Sequence, residues 1–235
     1  MGIYSYNIIK MIVISAVILS VLFVILLIRL FESKRPKPYE IVVAKYNEDI
    51  SWLNGYENVR VYDKLRGDLP NIGRESHTYL TYICDNYDNL PEVVFFTQGC
   101  ISEHYSLSPN YFINIKEDFS QNYNYLQSDY YFYSENLKLY NKDHLYGYRN
   151  MKPTPTDNLG FRKWFKTYVD DEHDIDSYVT LWWGGIFSVR RECILSRPRE
   201  YYVKLLNYIP KTNNPEVGHY LERSWFYIFN CHLKK

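Results

Sequence analysis

The sequence predicts an α/β domain built on a mixed, mostly parallel sheet flanked by helices and preceded by one transmembrane helix. Three stretches carry that prediction. Met11 to Ile28 is an uncharged, mostly aliphatic run of the length that crosses a hydrocarbon core. Ile41 to Ala44 and Val93 to Phe96 are continuous apolar runs, the signature of strands covered on both faces in a parallel sheet. Asn71 to Gln98, NIGRESHTYLTYICDNYDNLPEVVFFTQ, joins a helix start, an amphipathic helix, a helix stop and the second of those strands. The resulting organisation is a tail over 1–10, an anchor over 11–31, a basic proline-containing stalk over 32–39 and a single α/β domain over 40–235.

The anchor exceeds the apolar core of a signal peptide and has no small-residue cleavage site before Arg29. Lys10 flanks it on one side and Arg29, Lys34, Arg35 and Lys37 on the other, so the positive-inside rule puts the large domain in the cytoplasm. A lumenal domain in the Golgi or endoplasmic reticulum is the alternative. The lack of any Asn-X-Ser/Thr acceptor agrees with the cytoplasmic side. The lipid bilayer is thus an expected partner through residues 11–31.

In the domain, Ile41 to Ala44 forms the first strand, followed by a polar loop and a short helical turn with Ile50, Trp52 and Leu53. Asn58 to Lys64 alternates Val59 and Val61 as a second strand. The helix of the Asn71 to Gln98 stretch turns Tyr79, Leu80, Ile83, Cys84 and Tyr87 inward. Thr78, Thr81, Asp85 and Asp88 fall on its polar side. Its strand feeds the middle of the sheet.

Periodicity degrades from Cys100 to Leu159, and the Tyr- and Asn-rich part reads as irregular structure with short strands. Phe161 to Val169 reads as a helix, and Tyr178 to Arg191 as two strands around Gly184 and Gly185. Arg199 to Ile209 reads as another helix after Pro198. A last helix has an Asn214 cap, Pro215 at its first position and a stripe of Val217, Leu221, Trp225 and Ile228.

Composition narrows the function. A formal net charge of zero argues against binding nucleic acid through a general basic surface. The 26 tyrosines suit half-buried surfaces and carbohydrate faces. The four cysteines have no metal-ligand spacing, so buried free thiols are expected, with disulfides as the lumenal alternative. Asp170 to Asp176, DDEHDID, offers oxygen ligands and His173 to a divalent cation, but reads equally as solvated surface.

Candidate site residues follow from position. Loops at the carboxyl ends of parallel strands bind ligands, which selects Asn47, Glu48 and Asp49, equally readable as acidic caps of the following helix, together with Gln98 at the third strand's end and His104 just beyond it. Arg74 sits in a first helical turn, where a cation is disfavoured, so it calls for either Glu75 or a phosphate as partner. Trp183 is a candidate stacking surface. Glu222 lies at the edge of the last apolar stripe, where burial would raise its pKa toward acid–base use. Ser76 and His77 do not form a nucleophile–base pair, because neighbouring helical residues diverge by about 100°.

Four blocks, IVVAKYNEDISWL, GRESHTYLTYICDNYDNLPEVVFFTQG, GGIFSVRRECILSRPREYY and HYLERSWFYIF, together resemble the family known as domain of unknown function 3431. The layout is also similar to GT-A-type nucleotide-sugar glycosyltransferases. That likeness implies a GT-A-like fold and transfer of a sugar from a nucleotide-sugar donor to a glycan or other hydroxyl acceptor. It places Tyr46, Asn47, Glu48, Arg74, Gln98 and His104 at the donor, Trp183, Gly184 and Gly185 at the acceptor, and Glu222 as base. Such enzymes carry a metal-binding Asp-X-Asp at a central strand end, where this chain has Thr97, Gln98 and Gly99. The expectation is therefore either metal-independent transfer, with Arg74 stabilising the departing diphosphate, or Mn or Mg held by Glu103 and His104. A non-catalytic carbohydrate- or protein-binding module of the same fold is the alternative.

Overall fold

The computed structural model describes residues 2–33, 36–101, 129–133, 160–172, 175, 178–182 and 185–229. The chain divides into two compact units, Met1–Pro36 and Lys37–Lys235. The first is helix α1, Gly2–Ser33, a continuous run of 32 residues. Met11 and the large apolar side chains from Val13 to Leu27 are exposed along it. Among the described residues no helix is long and apolar enough to cross a membrane, so the predicted span over 11–31 is not met by them.

The second unit is a mixed α/β domain. Strands β1 (Tyr39–Lys45), β2 (Val59–Asp63), β3 (Val93–Gln98) and β6 (Phe187–Arg190) form a four-stranded sheet in the order β2-β1-β3-β6. The first three are parallel and β6 is antiparallel to β3. A separate antiparallel pair joins β4 (Asp129–Tyr133) to β5 (Tyr178–Trp182). The strands around Gly184 and Gly185 therefore belong to different sheets.

Strand alternation splits the core in two. Val42, Ala44, Val94, Phe96, Phe187 and Val189 face the larger cluster. Helices α2 (Arg74–Asn86), α3 (Phe161–Tyr168), α5 (Arg199–Asn207), α6 (Glu216–Glu222) and α7 (Trp225–Phe229) supply most of its other side chains, with Cys193 and Ile194 of α4 (Arg191–Leu195) and the connecting residues Leu90, Val169, Ile175 and Ile209. Ile41, Val43 and Phe95 face the other side, where Leu53 and Trp52 of a short 3-10 turn cover them.

Three expectations need correction. Thr78, expected on the polar side, is fully buried, because α2 packs against α5 and α6 as well as the sheet. The final helix is two helices, broken at Arg223 and Ser224, and its N-cap is Pro215. Asn214 instead lies 3.0 Å from His219 Nε2 through its Oδ1. Cys193 is disulfide-bonded, whereas Cys84 and Cys100 keep their thiols. Spacing alone holds no signal for such a pairing.

Candidate functional site

The β1–β2 connection covers one face of the sheet and the β2–β3 connection, α2, covers the other. The strand order thus reverses between β1 and β3, and a crevice outside their carboxyl ends is where an open α/β sheet binds ligands. A cleft of about 180 Å³ lies there, lined by Ala44, Lys45, Tyr46 and Glu48 from the end of β1, Lys64 beyond β2, Asn71, Arg74 and Glu75 at the start of α2, and Gln98 ending β3. Its rim is pinned by backbone. Lys64 N–H donates to Lys45 O at 2.9 Å and Gly99 N–H to Ala44 O at 3.0 Å. The indole of Trp52 donates to Gly99 O at 2.8 Å.

Glu48 folds back on its own loop, where Oε2 accepts from the N–H groups of Tyr46 at 2.7 Å and Asn47 at 3.1 Å. Gly99 makes room for it, since a Cβ there would stand 2.9 Å from Glu48 Oε2. Lys45 is held by Asp63 at 2.6 Å. Tyr46 is 43% exposed at the mouth, an aromatic surface beside these charges.

Behind the wall, Gly73 and Arg74 are both left-handed, at φ 62° and 54°. For Arg74 this is unfavourable by about 1–2 kcal/mol. The turn takes this shape because Gly73 is wedged in: a Cβ would lie 2.5 Å from Ile209 Cγ2 and 2.9 Å from His77 Cβ. Arg74 Nε lies 3.4 Å from Glu75 Oε2, and its Nη1 is 3.1 Å from both ring nitrogens of His219. Burial, with Arg74 and Arg223 nearby, pushes the His219 pKa down to about 3, so the ring is neutral. A neutral ring donates from Nε2 to Asn214 and leaves Nδ1 to accept from Arg74.

Glu75 is buried and its Oε1 has no hydrogen-bond partner. Burial pushes its carboxyl up, against the pull of Arg74, and the net direction is upward. Arg74 is raised, chiefly by the Glu75 charge. Gly185, at φ 66°, lets the backbone approach Glu75, since a Cβ would meet Glu75 Cγ at 3.2 Å. Lys64 is 8% exposed, and burial lowers its pKa to about 8 although Glu75 favours the charge.

Of the residues selected from sequence, the cleft brings together Tyr46, Glu48, Arg74 and Gln98. Asn47 contributes its backbone N–H to Glu48. Gly185 packs on Glu75 behind the wall. Glu222 does not line the cleft; its Oε2 is 3.7 Å from Arg223 and 3.9 Å from His219. Its charge nevertheless acts on both Arg74 and Glu75. His104, Glu103, Trp183 and Gly184 lie outside the described residues, as do His173, Asp174 and Asp176 of the acidic run. Among the described residues no group of three or more His, Cys, Asp or Glu side chains is placed to hold a metal. Sequence reasoning missed Lys45, Lys64 and His219. The strand-end rule that chose Glu48 and Gln98 would have found the lysines, while nothing local marks His219.

The family described as Protein of unknown function (DUF3431) matches residues 41–234. No curated protein and no solved structure matches the chain.

Proposed function

The chain belongs to the DUF3431 family of proteins of unknown function, and we propose that its cleft binds a nucleotide-sugar donor whose sugar the domain transfers to a hydroxyl of a glycan or other acceptor. One observation carries this reading: Tyr46, Glu48, Arg74 and Gln98 meet in a single cleft where the strand order reverses. The cleft has room for a pyrophosphate or one sugar ring, and three cations, Lys45, Lys64 and Arg74, line it. Tyr46 offers a stacking face to a base or sugar.

In the transfer, the acceptor oxygen bonds to the anomeric carbon while the bond from that carbon to the diphosphate oxygen breaks. The electron pair leaves on the diphosphate, and the acceptor proton passes to a carboxylate, for which Glu222 is the candidate. The charge growing on the diphosphate is what the cationic wall would stabilise.

The partner expected for α1 is a lipid bilayer. Its exposed aliphatic surface supports this, as does Ser20, whose hydroxyl is satisfied inside the helix by Ala16 O at 2.8 Å. The sequence continues the apolar run through Ile28 and Leu30. The disulfide at Cys193 supports an oxidising, lumenal setting for the domain over the cytoplasmic one that the flanking charges favour.

The test is a panel of nucleotide sugars, with and without Mn, read by thermal shift and donor hydrolysis. A donor present at about 100 times its Kd should stabilise the protein by about 2.7 kcal/mol, a shift of several degrees. No shift and no hydrolysis with any donor would sink the reading. A second reading, a non-catalytic binding module, is favoured by Glu222 standing outside the cleft lining against Arg223 and His219. It expects Glu222→Gln to leave function intact, whereas the transferase reading expects retained donor binding and lost transfer.

A further inference from the structure

We propose that Lys64 is a positioning residue of the cleft: its ammonium ties the carbonyls of Ile72 and Arg74 to the end of β2 and so fixes the turn that carries the Arg74 guanidinium to the cleft wall. Only the identity of the ligand, a nucleoside diphosphate, rests on the reading above. Lys64 Nζ donates to Ile72 O at 2.7 Å and to Arg74 O in a still closer contact. An ammonium has three donors, and two of them go to this turn.

The turn needs an external hold because two successive left-handed residues are not a helix start that backbone propensity maintains. It is also tied by Ile72 N–H to Pro70 O at 2.8 Å, Gly73 N–H to Thr212 O at 2.8 Å and His77 N–H to Gly73 O at 3.2 Å. None of these reaches the Ile72 carbonyl. Lys64 does so from a buried position, anchored through its own N–H to Lys45 O, so the end of the sheet and the start of α2 move as one piece.

The charged and titratable groups beside this ammonium are Arg74, Glu75 and His77 of α2 and, across the cleft, Lys45 and Glu48 at the end of β1. Glu75 favours the ammonium and burial opposes it, leaving the pKa at about 8. The tie therefore weakens as pH rises through 8. His77 registers the same charge, since burial and then Lys64 lower its pKa to about 4.

The test compares amide hydrogen exchange in the full chain, in detergent, for wild type, Lys64→Met and Lys64→Arg. Losing two charge-assisted hydrogen bonds should speed exchange at Gly73 and His77 by about tenfold or more, with β1 and β3 unchanged. Lys64→Arg should restore part of the protection. Wild-type protection relative to Lys64→Met should shrink between pH 7 and 9. Uridine diphosphate binding, followed by titration calorimetry, should weaken about tenfold in Lys64→Met and in wild type above pH 8. Unchanged exchange at the turn, or loss spread evenly over the sheet, would overturn the proposal. Should Lys64→Met not fold, Lys64→Arg and the wild-type pH series decide. Failure of every diphosphate to bind wild type counts against the nucleotide reading and leaves the exchange comparison to judge Lys64.

Discussion

Two buried charge clusters cap opposite ends of the same parallel strands, and they are built differently. At the amino end of β1, Glu40 accepts from Tyr82 Oη at 2.6 Å, Lys37 at 3.2 Å and Arg60 at 3.3 Å. Burial pushes the Glu40 carboxyl up, but these partners outweigh it and hold it below the ordinary carboxylate range. At the carboxyl end, Glu75 keeps an oxygen without a partner, its carboxyl is pushed up, and Arg74 sits in a left-handed conformation. A satisfied cluster is what stability alone selects; strain and an unsatisfied buried oxygen are tolerated where a site is built. Asn58, just before β2 at the amino end, is left-handed as well, at φ 55°, so the contrast rests on the two carboxylates: one is fully partnered and the other is not.

The comparison breaks most visibly at Arg74. Arg74→Ala leaves the Glu75 carboxylate buried without its ion-pair partner, opposed only by the more distant charge of Lys64, and should cost about 3 kcal/mol in urea denaturation. Arg74→Gly should cost about 1 kcal/mol less, because glycine relieves the left-handed strain. Equal losses would mean that the backbone there is not strained. Gly73→Ala follows at about 2–3 kcal/mol, through overpacking against Ile209 and His77. A neutral outcome would show that the turn relaxes and is not wedged.

At the other end the expected loss is smaller and has a different source. Tyr82→Phe removes one hydrogen bond to a charged acceptor without disturbing the backbone, and should cost about 1.5–2 kcal/mol. Because Lys37 and Arg60 continue to hold Glu40, nucleotide or sugar binding should not change. A binding defect in Tyr82→Phe would erase the functional distinction between the two ends.

What was legible in the sequence follows the same division. Apolar runs marked β1 and β3 because strands covered on both faces need unbroken aliphatic or aromatic residues, and α2 showed its helical period. The β4–β5 pair and the break at Arg223 and Ser224 were not legible, since pairing partners and the packing that interrupts a helix are tertiary facts. Within the site, position relative to strand ends found Glu48 and Gln98, and a charge in the wrong helical turn found Arg74. Lys64 reads locally as an ordinary loop lysine; only the fold reveals that its ammonium is buried on two carbonyls. His219 reaches Arg74 across 145 positions of chain, a distance no local pattern spans.

The smallest effect, and the sharpest separation of the two ends, lies in acid. Burial lowers His77 to about 4 and His219 to about 3, from an ordinary 6.5. Between those values the unfolded chain binds protons that the folded chain refuses, so stability falls as pH drops below 6.5. Glu40, held low in the folded state, contributes above its ordinary 4.5 and loses that contribution only as pH falls through its folded value. The carboxyl end should therefore weaken first, with His77 alone contributing about 1 kcal/mol of loss at pH 5.5. In urea denaturation across pH, His77→Gln should make the fall from 6.5 to 4 shallower, with His219 keeping the rest, and Glu40→Gln should leave that segment alone and alter only the part below 4.5. If both variants moved the same segment, the two clusters would be one electrostatic unit, and the difference drawn between the ends of the sheet would fail.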